Sequence, residues 1–396
     1  SVSMSALAEA LSFVDNRGKL RNRLMDDIIK GEVPADVIQK LPIELLDLSR
    51  IPNVSPTNIL VGSPSYKPFR YPPGYDTFFT QNKVHWLPNE VPLHDDVKDW
   101  HRTLTDAERN LITHIFRLFT QNDDFVNNVY LKQYARYFGP SEILMAIAAI
   151  ANIESTHMGS YSYLLDTIGM PEAEYSAFMS YKEMTDKYDY MQTFKTNTIF
   201  GLALALVIYG GIMEGVQLFA SFAMLMNFPR DKKGLAPSTM KGMGQIVTWS
   251  QRDESLHCSF VAYLFKILVE EYRSVIDMDA LKEAVIKSTK QIIRNEHCFI
   301  DLAFEMGPVP GMTAQDTKDY VEHLADKRLN QFGFDAISKF KVNPLGWVEA
   351  EANSIEFASL FEQRGTNYSR GSTEGTWDDA FRKWAQIRQT WSKPQI

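Results

Sequence analysis

The hydrophobic pattern of this chain is helical over most of its length. From about residue 100 to about residue 340, apolar side chains recur three and four positions apart, which is the spacing of one face of an α-helix. No long stretch alternates apolar and polar residues, and no Asn-Gly or Asp-Gly hairpin turn occurs. The chain is therefore predicted to be all-α. The pattern predicts helices over about 105–138, 141–168, 172–190, 196–227, 244–273, 278–306 and 313–341.

Local signals mark several helix ends. Thr105-Asp-Ala-Glu108 has the sequence of a capping box, in which a threonine and a glutamate satisfy each other's backbone N–H groups at a helix start. Gly139-Pro140 is expected to end the helix that begins there, and Gly169 is expected to end the next one.

The two ends of the chain differ from this helical middle. Residues 1–45 have a polar helical pattern, whereas 50–85 contain six prolines, which oppose regular helix, so an extended arm is expected there. Residues 364–375 are a polar linker rich in glycine and serine. We predict three parts: an N-terminal helical segment with a Pro-rich arm (1–85), a helical domain (86–345) and a flexible C-terminal tail (346–396).

One predicted helix is apolar enough to span a membrane. The stretch from Ile199 to Met226 has the required length and composition. However, Glu214 lies in its middle, a lone carboxylate at bilayer depth costs several kcal/mol, and no second such stretch follows. We therefore predict a helix buried in a large bundle and no membrane association. A buried Glu214 must then be neutral, paired or bound to a metal.

Composition excludes several classes of protein. The net charge of −8 argues against a nucleic-acid partner bound by a broad basic surface. Two cysteines among 396 residues exclude a disulfide scaffold and a zinc or iron–sulfur site built on cysteine. The first residues show no basic segment followed by an apolar one, so no secretory signal is visible and a cytoplasmic location is expected.

The chemistry is carried by two Glu-x-x-His motifs, Glu154 to His157 and Glu254 to His257. Residues three apart lie on one helix face, so each pair can offer a carboxylate and an imidazole to one metal. Two more carboxylates interrupt apolar helices, Glu214 and either Asp123 or Asp124, which point about 100° apart around their helix. Salt bridges and capped histidines are the alternative, and they account poorly for four helices that each carry an internal acid.

This set matches the ligand pattern of ferritin-like di-iron and di-manganese carboxylate proteins, in which two single carboxylates join two Glu-x-x-His pairs. Four carboxylates supply a charge of −4, which two cations offset, and oxygen with imidazole suits iron and manganese. The sequence therefore predicts a ferritin-like helical bundle with a dinuclear metal centre.

Several motifs resemble the small, radical-generating subunit of class I ribonucleotide reductase over about Trp86 to Tyr368. They include the family's two ligand pairs, its single-glutamate helix, its aspartate helix, its tryptophan segment and the start of its tail. In this chain they read Ile153-Glu-Ser-Thr-His-Met-Gly-Ser-Tyr161, Arg252-Asp-Glu-Ser-Leu-His257, Met213-Glu-Gly-Val-Gln-Leu-Phe-Ala-Ser-Phe222, Phe119-Thr-Gln-Asn-Asp123, Lys83-Val-His-Trp86 and Phe361-Glu-Gln-Arg-Gly-Thr-Asn-Tyr368.

The resemblance implies a role for each matching residue. It favours Asp123 over Asp124, so the implied metal ligands are Asp123, Glu154, His157, Glu214, Glu254 and His257. It implies that the metal centre reacts with O₂ and that Tyr161 becomes the radical. Asp253, Trp86 and Tyr368 would pass the oxidising equivalent to a separate large subunit, which reduces ribonucleotides to deoxyribonucleotides. A homodimer is also implied.

Some choices stay open at this level. Oxygen and nitrogen ligands accept Fe/Fe, Mn/Fe or Mn/Mn, and Fe/Fe is the expectation. Another di-metal oxidase of the same architecture would share the ligands without needing Trp86 or Tyr368. A metal-storage protein would leave Tyr161, the arm and the tail unexplained. The basic end of the chain, after Trp377, departs from the short acidic or apolar tail of the family.

Overall fold

A computed structural model describes residues 17–338 and 342–349. Within these residues there is no β-strand, and only two isolated bridges occur, Pro42 with Thr198 and Val309 with Met312. The all-α prediction is confirmed. The N-terminal part contains α1 (Arg17–Ile29), α2 (Ala35–Ile38), a 3₁₀ turn (Ile43–Leu45), α3 (Pro72–Lys83), a second 3₁₀ turn (Pro88–Glu90) and α4 (His94–Lys98), which continues as a π-helix (Asp99–Thr103).

The rest of the described chain is a bundle of long helices. In it α7 packs against α3 and α5, and α12 packs against the π-helical part of the apolar helix. The elements are α5 (Asp106–Asn128), continued by a π-helix (Val129–Tyr134) and α6 (Ala135–Tyr137); α7 (Ser141–Ile168); α8 (Glu172–Ser176) with a 3₁₀ turn (Ala177–Ser180); α9 (Lys182–Met191); α10 (Ile199–Ala205), a π-helix (Leu206–Gln217) and α11 (Leu218–Met226); α12 (Lys241–Glu271); α13 (Met278–Ala303); and α14 (Ala314–Gln331).

The predicted signals at helix ends are present. The backbone N–H of Glu108 donates to the Thr105 hydroxyl at 3.2 Å, and the backbone N–H of Thr105 donates to the Glu108 carboxylate at 3.0 Å. Helix α7 ends at Gly169, whose φ of 72° is left-handed and favours glycine. These caps fix where α5 begins and where α7 stops.

The Pro-rich segment is not extended throughout, so the prediction of an arm up to residue 85 is wrong for its last part. Residues 72–83 form α3, with Pro72 and Pro73 in its first turn. Proline is compatible with that turn because its missing N–H would have no helical partner there. A Cβ at Gly74 would lie 2.7 Å from the carbonyl oxygen of Glu142, so glycine lets α3 approach α7 closely.

Two other predicted helices differ in extent. The segment 172–190 is broken into α8, a 3₁₀ turn and α9. The helix predicted over 313–341 ends at Gln331, followed by Gly333 with a φ of 88°. A left-handed glycine ends a helix readily, and this signal was available in the sequence.

The apolar stretch Ile199–Met226 lies inside the bundle, and 83% of its most apolar 18-residue segment is buried. This agrees with a buried core helix. Its central part is a π-helix from Leu206 to Gln217. There the carbonyl oxygen of Gly215 accepts a hydrogen bond at 3.0 Å from Nε of Arg328, a buried residue of α14. The buried arginine thus supports the backbone beside Glu214.

Candidate metal centre

Four helices carry the six predicted ligands, and all six residues are buried. Asp123 comes from α5, Glu154 and His157 from α7, Glu214 from the π-helix Leu206–Gln217, and Glu254 and His257 from α12. Asp123 is 7% exposed and the others are at most 2% exposed. Asp124 is exposed, so the structure places Asp123, not Asp124, on the inner face of α5.

The His257 side of the cluster contains three carboxylate oxygens. Nδ1 of His257 lies 2.8 Å from Oε1 of Glu154, 3.3 Å from Oε2 of Glu254 and 3.7 Å from Oε1 of Glu214. The other ring nitrogen, Nε2, lies 2.7 Å from Oε1 of Gln81 on α3. One nitrogen thus faces the carboxylates while the other is held by an amide.

The His157 side has a similar arrangement. Nδ1 of His157 lies 3.5 Å from Oε2 of Glu154 and 3.4 Å from Oε1 of Glu254. Nε2 lies 2.9 Å from Oδ2 of Asp253. Glu154 and Glu254 therefore each direct one oxygen toward each histidine, which is the placement that a carboxylate bridging two metals requires.

Hydrogen bonds fix which nitrogen of each histidine carries the proton. A carboxylate only accepts, so Nε2 of His157 must donate to Asp253. Gln81 donates its amide nitrogen to Oδ1 of Asp253 at 3.1 Å, which leaves its oxygen to accept from Nε2 of His257. When the imidazoles are neutral, as metal-bound histidines are, the lone pair is then on Nδ1 and points at the carboxylates. Without a metal, the raised pKa of both histidines favours a proton at Nδ1 instead. Hydrogen bonds of this kind orient metal-bound histidines.

The cluster fits a cation and is poorly satisfied without one. Four buried atoms of the cluster make no well-aligned hydrogen bond with the described residues: Glu154 Oε1, Glu214 Oε1, Glu254 Oε2 and His257 Nδ1. The 2.8 Å contact between His257 Nδ1 and Glu154 Oε1 is short enough for a hydrogen bond but lacks the required direction. These four residues offer ligand atoms that all lie within 4.8 Å of one another. Lone pairs that face each other at such distances repel unless a proton or a metal lies between them. With His157 opposite, the set fits a dinuclear centre.

The pKa shifts of the predicted ligands reflect the concentration of negative charge at this site. Burial raises the pKa of Asp123 well above its usual range, the charge of Glu154 raises it further, and His157 opposes the shift. Burial and the charge of Glu254 likewise raise the pKa of Glu214. Burial would lower the pKa of His157, but Glu154 and Asp253 raise it well above its usual value. Asp123 and Glu214 thus bind protons or cations strongly at this site.

Comparison with known proteins identifies the family. The sequence profile of the family described as "Ribonucleotide reductase, small chain" matches residues 64–344. The chain belongs to the ribonucleotide reductase small chain family. It is 38% identical over 375 residues to a probable ribonucleoside-diphosphate reductase small subunit of Invertebrate iridescent virus 6, covering 85% of this chain and all of that protein. It is 26% identical over 318 residues to the ribonucleoside-diphosphate reductase subunit beta of Chlamydia pneumoniae, covering 76% and 88%.

Solved structures show the same fold in small chains of ribonucleotide reductase. The ribonucleotide reductase R2 subunit from Clostridium botulinum superposes with a TM-score of 0.63 at 20% identity, covering 72% of this chain and 89% of that one. The dimanganese(II)-NrdF of Streptococcus sanguinis gives a TM-score of 0.62 at 16% identity, covering 73% and 98%. The predicted ferritin-like architecture is confirmed.

Two of the three implied relay residues, Trp86 and Asp253, lie beside the predicted metal ligands. Nε1 of Trp86 donates to Oδ2 of Asp253 at 2.9 Å, and the same oxygen accepts from His157. Burial would raise the pKa of Asp253, but the His157 hydrogen bond and the Arg252 charge lower it. Asp253 therefore joins Trp86 to His157, as the sequence suggested. Tyr368 lies outside the described residues, and its role stays a prediction.

Tyr161 is shielded by aromatic rings. It is 5% exposed, and its ring centroid lies 4.8 Å from that of Phe119 and 6.2 Å from that of Phe116. Burial raises the pKa of Tyr161, the charge of Asp123 raises it further, and the Ser250 side chain lowers it. Tyr163 is 39% exposed, which agrees with the expectation that it lies on the opposite face of the helix from Tyr161.

A cavity lies beside Tyr161. It has a volume of about 180 Å³ and is bordered by Asp123, Tyr161, Met158 and Asp166.

Sequence reasoning missed three neighbours of the centre. Gln81, which holds His257 and Asp253, lies in the segment expected to be extended. Trp249 packs on Trp86, with ring centroids 5.2 Å apart. Tyr130 donates its hydroxyl to Oε2 of Glu214 at 2.9 Å. A signal existed for Tyr130, because it follows Asp123 by seven residues, which is two helix turns.

Proposed function

We propose that this small subunit of ribonucleotide reductase holds a dinuclear metal centre at Asp123, Glu154, His157, Glu214, Glu254 and His257, and that Tyr161 carries the radical. The supporting observation is that two imidazole lone pairs and the carboxylate oxygens face one another beside a shielded tyrosine. When bound, a dinuclear iron or manganese centre that has reacted with O₂ supplies one-electron oxidising power.

Tyr161 would lose one electron and its phenolic proton. The apolar rings of Phe116 and Phe119 exclude water from the ring, which favours a long-lived radical. Burial keeps the phenol protonated at rest, so its oxidation to a neutral radical must release the proton as well as the electron. Asp123 and Asp166 border the same cavity as Tyr161 and are carboxylates that could accept this proton.

Asp253 would connect the His157 side of the centre to Trp86. It accepts hydrogen bonds from both His157 and Trp86, so an oxidising equivalent can pass through one continuous set of groups. Tyr368 would carry it onward to a large subunit. The chain contains only two cysteines, buried Cys258 and exposed Cys298, and so lacks a thiol pair for ribonucleotide reduction. That chemistry is assigned to the large subunit.

The metal pair proposed is Fe/Fe, because carboxylate and imidazole ligands suit iron, although they also accept Mn/Fe and Mn/Mn. Metal-free protein loaded anaerobically with Fe²⁺, with Mn²⁺ or with both should bind two ions per chain. Elemental analysis and EPR before and after O₂ exposure check this. We expect a tyrosyl radical after O₂ with iron. Fewer than two bound ions in every case, or no radical with any metal, would contradict the proposal.

We also propose that the subunit is a homodimer in the cytoplasm, as the resemblance implies. Sedimentation equilibrium of the full-length chain measures the first part. A monomer at micromolar concentration would contradict it.

A further inference from the structure

We propose that Tyr130 is a positioning residue that restricts Glu214 to binding through one oxygen on the His257 side of the centre. The Tyr130 hydroxyl donates to Oε2 of Glu214 at 2.9 Å. The other oxygen, Oε1, faces Nδ1 of His257 at 3.7 Å and has no hydrogen-bond partner among the described residues. The inference rests on Glu214 being a ligand, as proposed above.

The two oxygens of Glu214 are used differently from those of the other glutamates. Glu154 and Glu254 each place both oxygens toward histidines, one toward His157 and one toward His257. Glu214 places only one oxygen there because Tyr130 engages the other. A phenol that donates to a buried carboxylate oxygen lowers the tendency of that oxygen to bind elsewhere.

Tyr130 is itself held in place, so the hydrogen bond has a fixed direction. The residue is completely buried. Its ring meets Tyr134 edge to face, with centroids 5.2 Å apart and an interplanar angle of 84°. It also meets His257, with centroids 6.1 Å apart and an angle of 67°. The contact with His257 places Tyr130 against the one histidine whose Nδ1 faces Glu214.

Tyr134 provides a matched control. It lies one turn along the same π-helix, Val129–Tyr134, and is also completely buried. Its hydroxyl, however, finds no hydrogen-bond partner among the described residues. Tyr130→Phe and Tyr134→Phe therefore each remove one buried hydroxyl from the same helix, and only the first removes a bond to Glu214.

The test is a titration of metal-free, full-length protein with Mn²⁺, in which EPR measures the free ion. Partners of metal ligands contribute about 10–100-fold to affinity, so Tyr130→Phe should weaken one of the two sites by about that factor. Tyr134→Phe should leave both sites as in the wild type. Loss of affinity in neither variant, or an equal loss in both, would overturn the proposal.

Two further measurements separate positioning from packing. With Co²⁺, release of Glu214 in Tyr130→Phe should let a second oxygen bind and so reduce the visible absorption, since higher coordination gives weaker bands. An unchanged Co²⁺ spectrum would overturn the proposal. In a Glu214→Ala background, Tyr130→Phe should have no further effect on Mn²⁺ binding. An equal effect there would assign Tyr130 to packing alone.

The ligand assignment and the inference can fail separately. If Glu214→Ala binds both Mn²⁺ ions normally, Glu214 is not a ligand and the proposed function loses that residue. If Glu214→Ala loses a site and Tyr130→Phe matches the wild type, only the role of Tyr130 is wrong. Circular dichroism of each metal-free variant confirms that it is folded, and if Tyr130→Phe is not, Tyr130→Met repeats the comparison with a flexible side chain that fits the buried site and has no hydroxyl.

Discussion

Trp86 and His157 share a single acceptor: Oδ2 of Asp253 lies 2.9 Å from Nε1 of Trp86 and 2.9 Å from Nε2 of His157. The two rings are also partly stacked, with centroids 5.8 Å apart and an interplanar angle of 30°. Trp86 is 1% exposed, so this contact lies in the interior. A tryptophan far from Asp253 along the chain is thus held next to a proposed metal ligand.

Trp86→Phe should abolish turnover with the large subunit while metal loading stays near that of the wild type. Phenylalanine retains most of the ring packing but has no N–H for Asp253 and is harder to oxidise. Trp249→Phe is the control, because Trp249 contacts Trp86 but is not hydrogen-bonded to Asp253. Metal content and turnover are measured for both. Wild-type turnover in Trp86→Phe would show that the relay does not use this residue.

Glu214→Ala should lower metal content and radical yield because it removes one of the three carboxylates that face Nδ1 of His257. Elemental analysis and EPR after O₂ exposure measure the two quantities. Asp124→Ala should leave both nearly unchanged, because the Asp124 side chain is exposed. The opposite ranking of these two variants would refute the ligand set.

Tyr161→Phe should keep the metals and lose the tyrosyl radical. The change removes only a hydroxyl from a side chain that is 5% exposed, so the fold should be retained. Tyr163→Phe, which alters an exposed neighbour on the same helix, should keep the radical. EPR measures the tyrosyl radical. A radical signal that persists in Tyr161→Phe would show that another tyrosine carries the radical.

Tyr368→Phe should leave metal loading and the Tyr161 radical intact while turnover with the large subunit is lost. Tyr368 is the only aromatic residue in the Gly- and Ser-rich linker 364–375, and an oxidisable side chain at this position would shorten the distance that the oxidising equivalent must cross between subunits. Truncation after Arg370 should instead weaken association with the large subunit, measured by titration. Normal turnover in Tyr368→Phe would make this tyrosine an ordinary linker residue.

Stability should depend on a buried ion pair outside the centre. Nζ of Lys187 lies 2.5 Å from Oε2 of Glu296, and both side chains are at most 2% exposed. Lys187→Met leaves the Glu296 charge buried without its partner and should cost about 3–5 kcal/mol in the free energy of unfolding. Lys182→Met breaks an exposed pair with Asp186 on the same helix and should change little. Denaturant unfolding measures both, and equal effects would contradict the argument.

The six proposed ligands could be predicted from the sequence because their signals are local. Two Glu-x-x-His motifs fix carboxylate and imidazole on single helix turns, and Glu214 is marked by the apolar stretch around it. Asp123 and Asp124 could not be separated by helical pattern alone. The choice depended on the family resemblance, and the burial of Asp123 agrees with it.

The neighbours of the ligands could not be found in the same way, because they depend on packing between distant segments. Gln81 reaches Asp253 across 172 residues of sequence. The prolines of segment 50–85 predict an extended chain, but Pro72 and Pro73 lie in the first turn of α3, where proline does not disrupt a helix. The hydroxyl of Tyr130 is near Glu214 only because two π-helices pass each other, and no sequence period specifies that crossing.

The two sides of the centre differ in the partner of the second histidine nitrogen, Nε2, although both sides are built on a Glu-x-x-His motif. On the His157 side, the hydrogen bond leads through Asp253 to the indole of Trp86, and Tyr161 follows on the same helix. On the His257 side it leads to the amide of Gln81, which itself donates to Oδ1 of Asp253, so this path reaches Asp253 only through a second side chain. Only the His157 side therefore contacts Asp253 directly. In a centre that holds two different metals, exchanging their places would change which ion lies next to that direct contact.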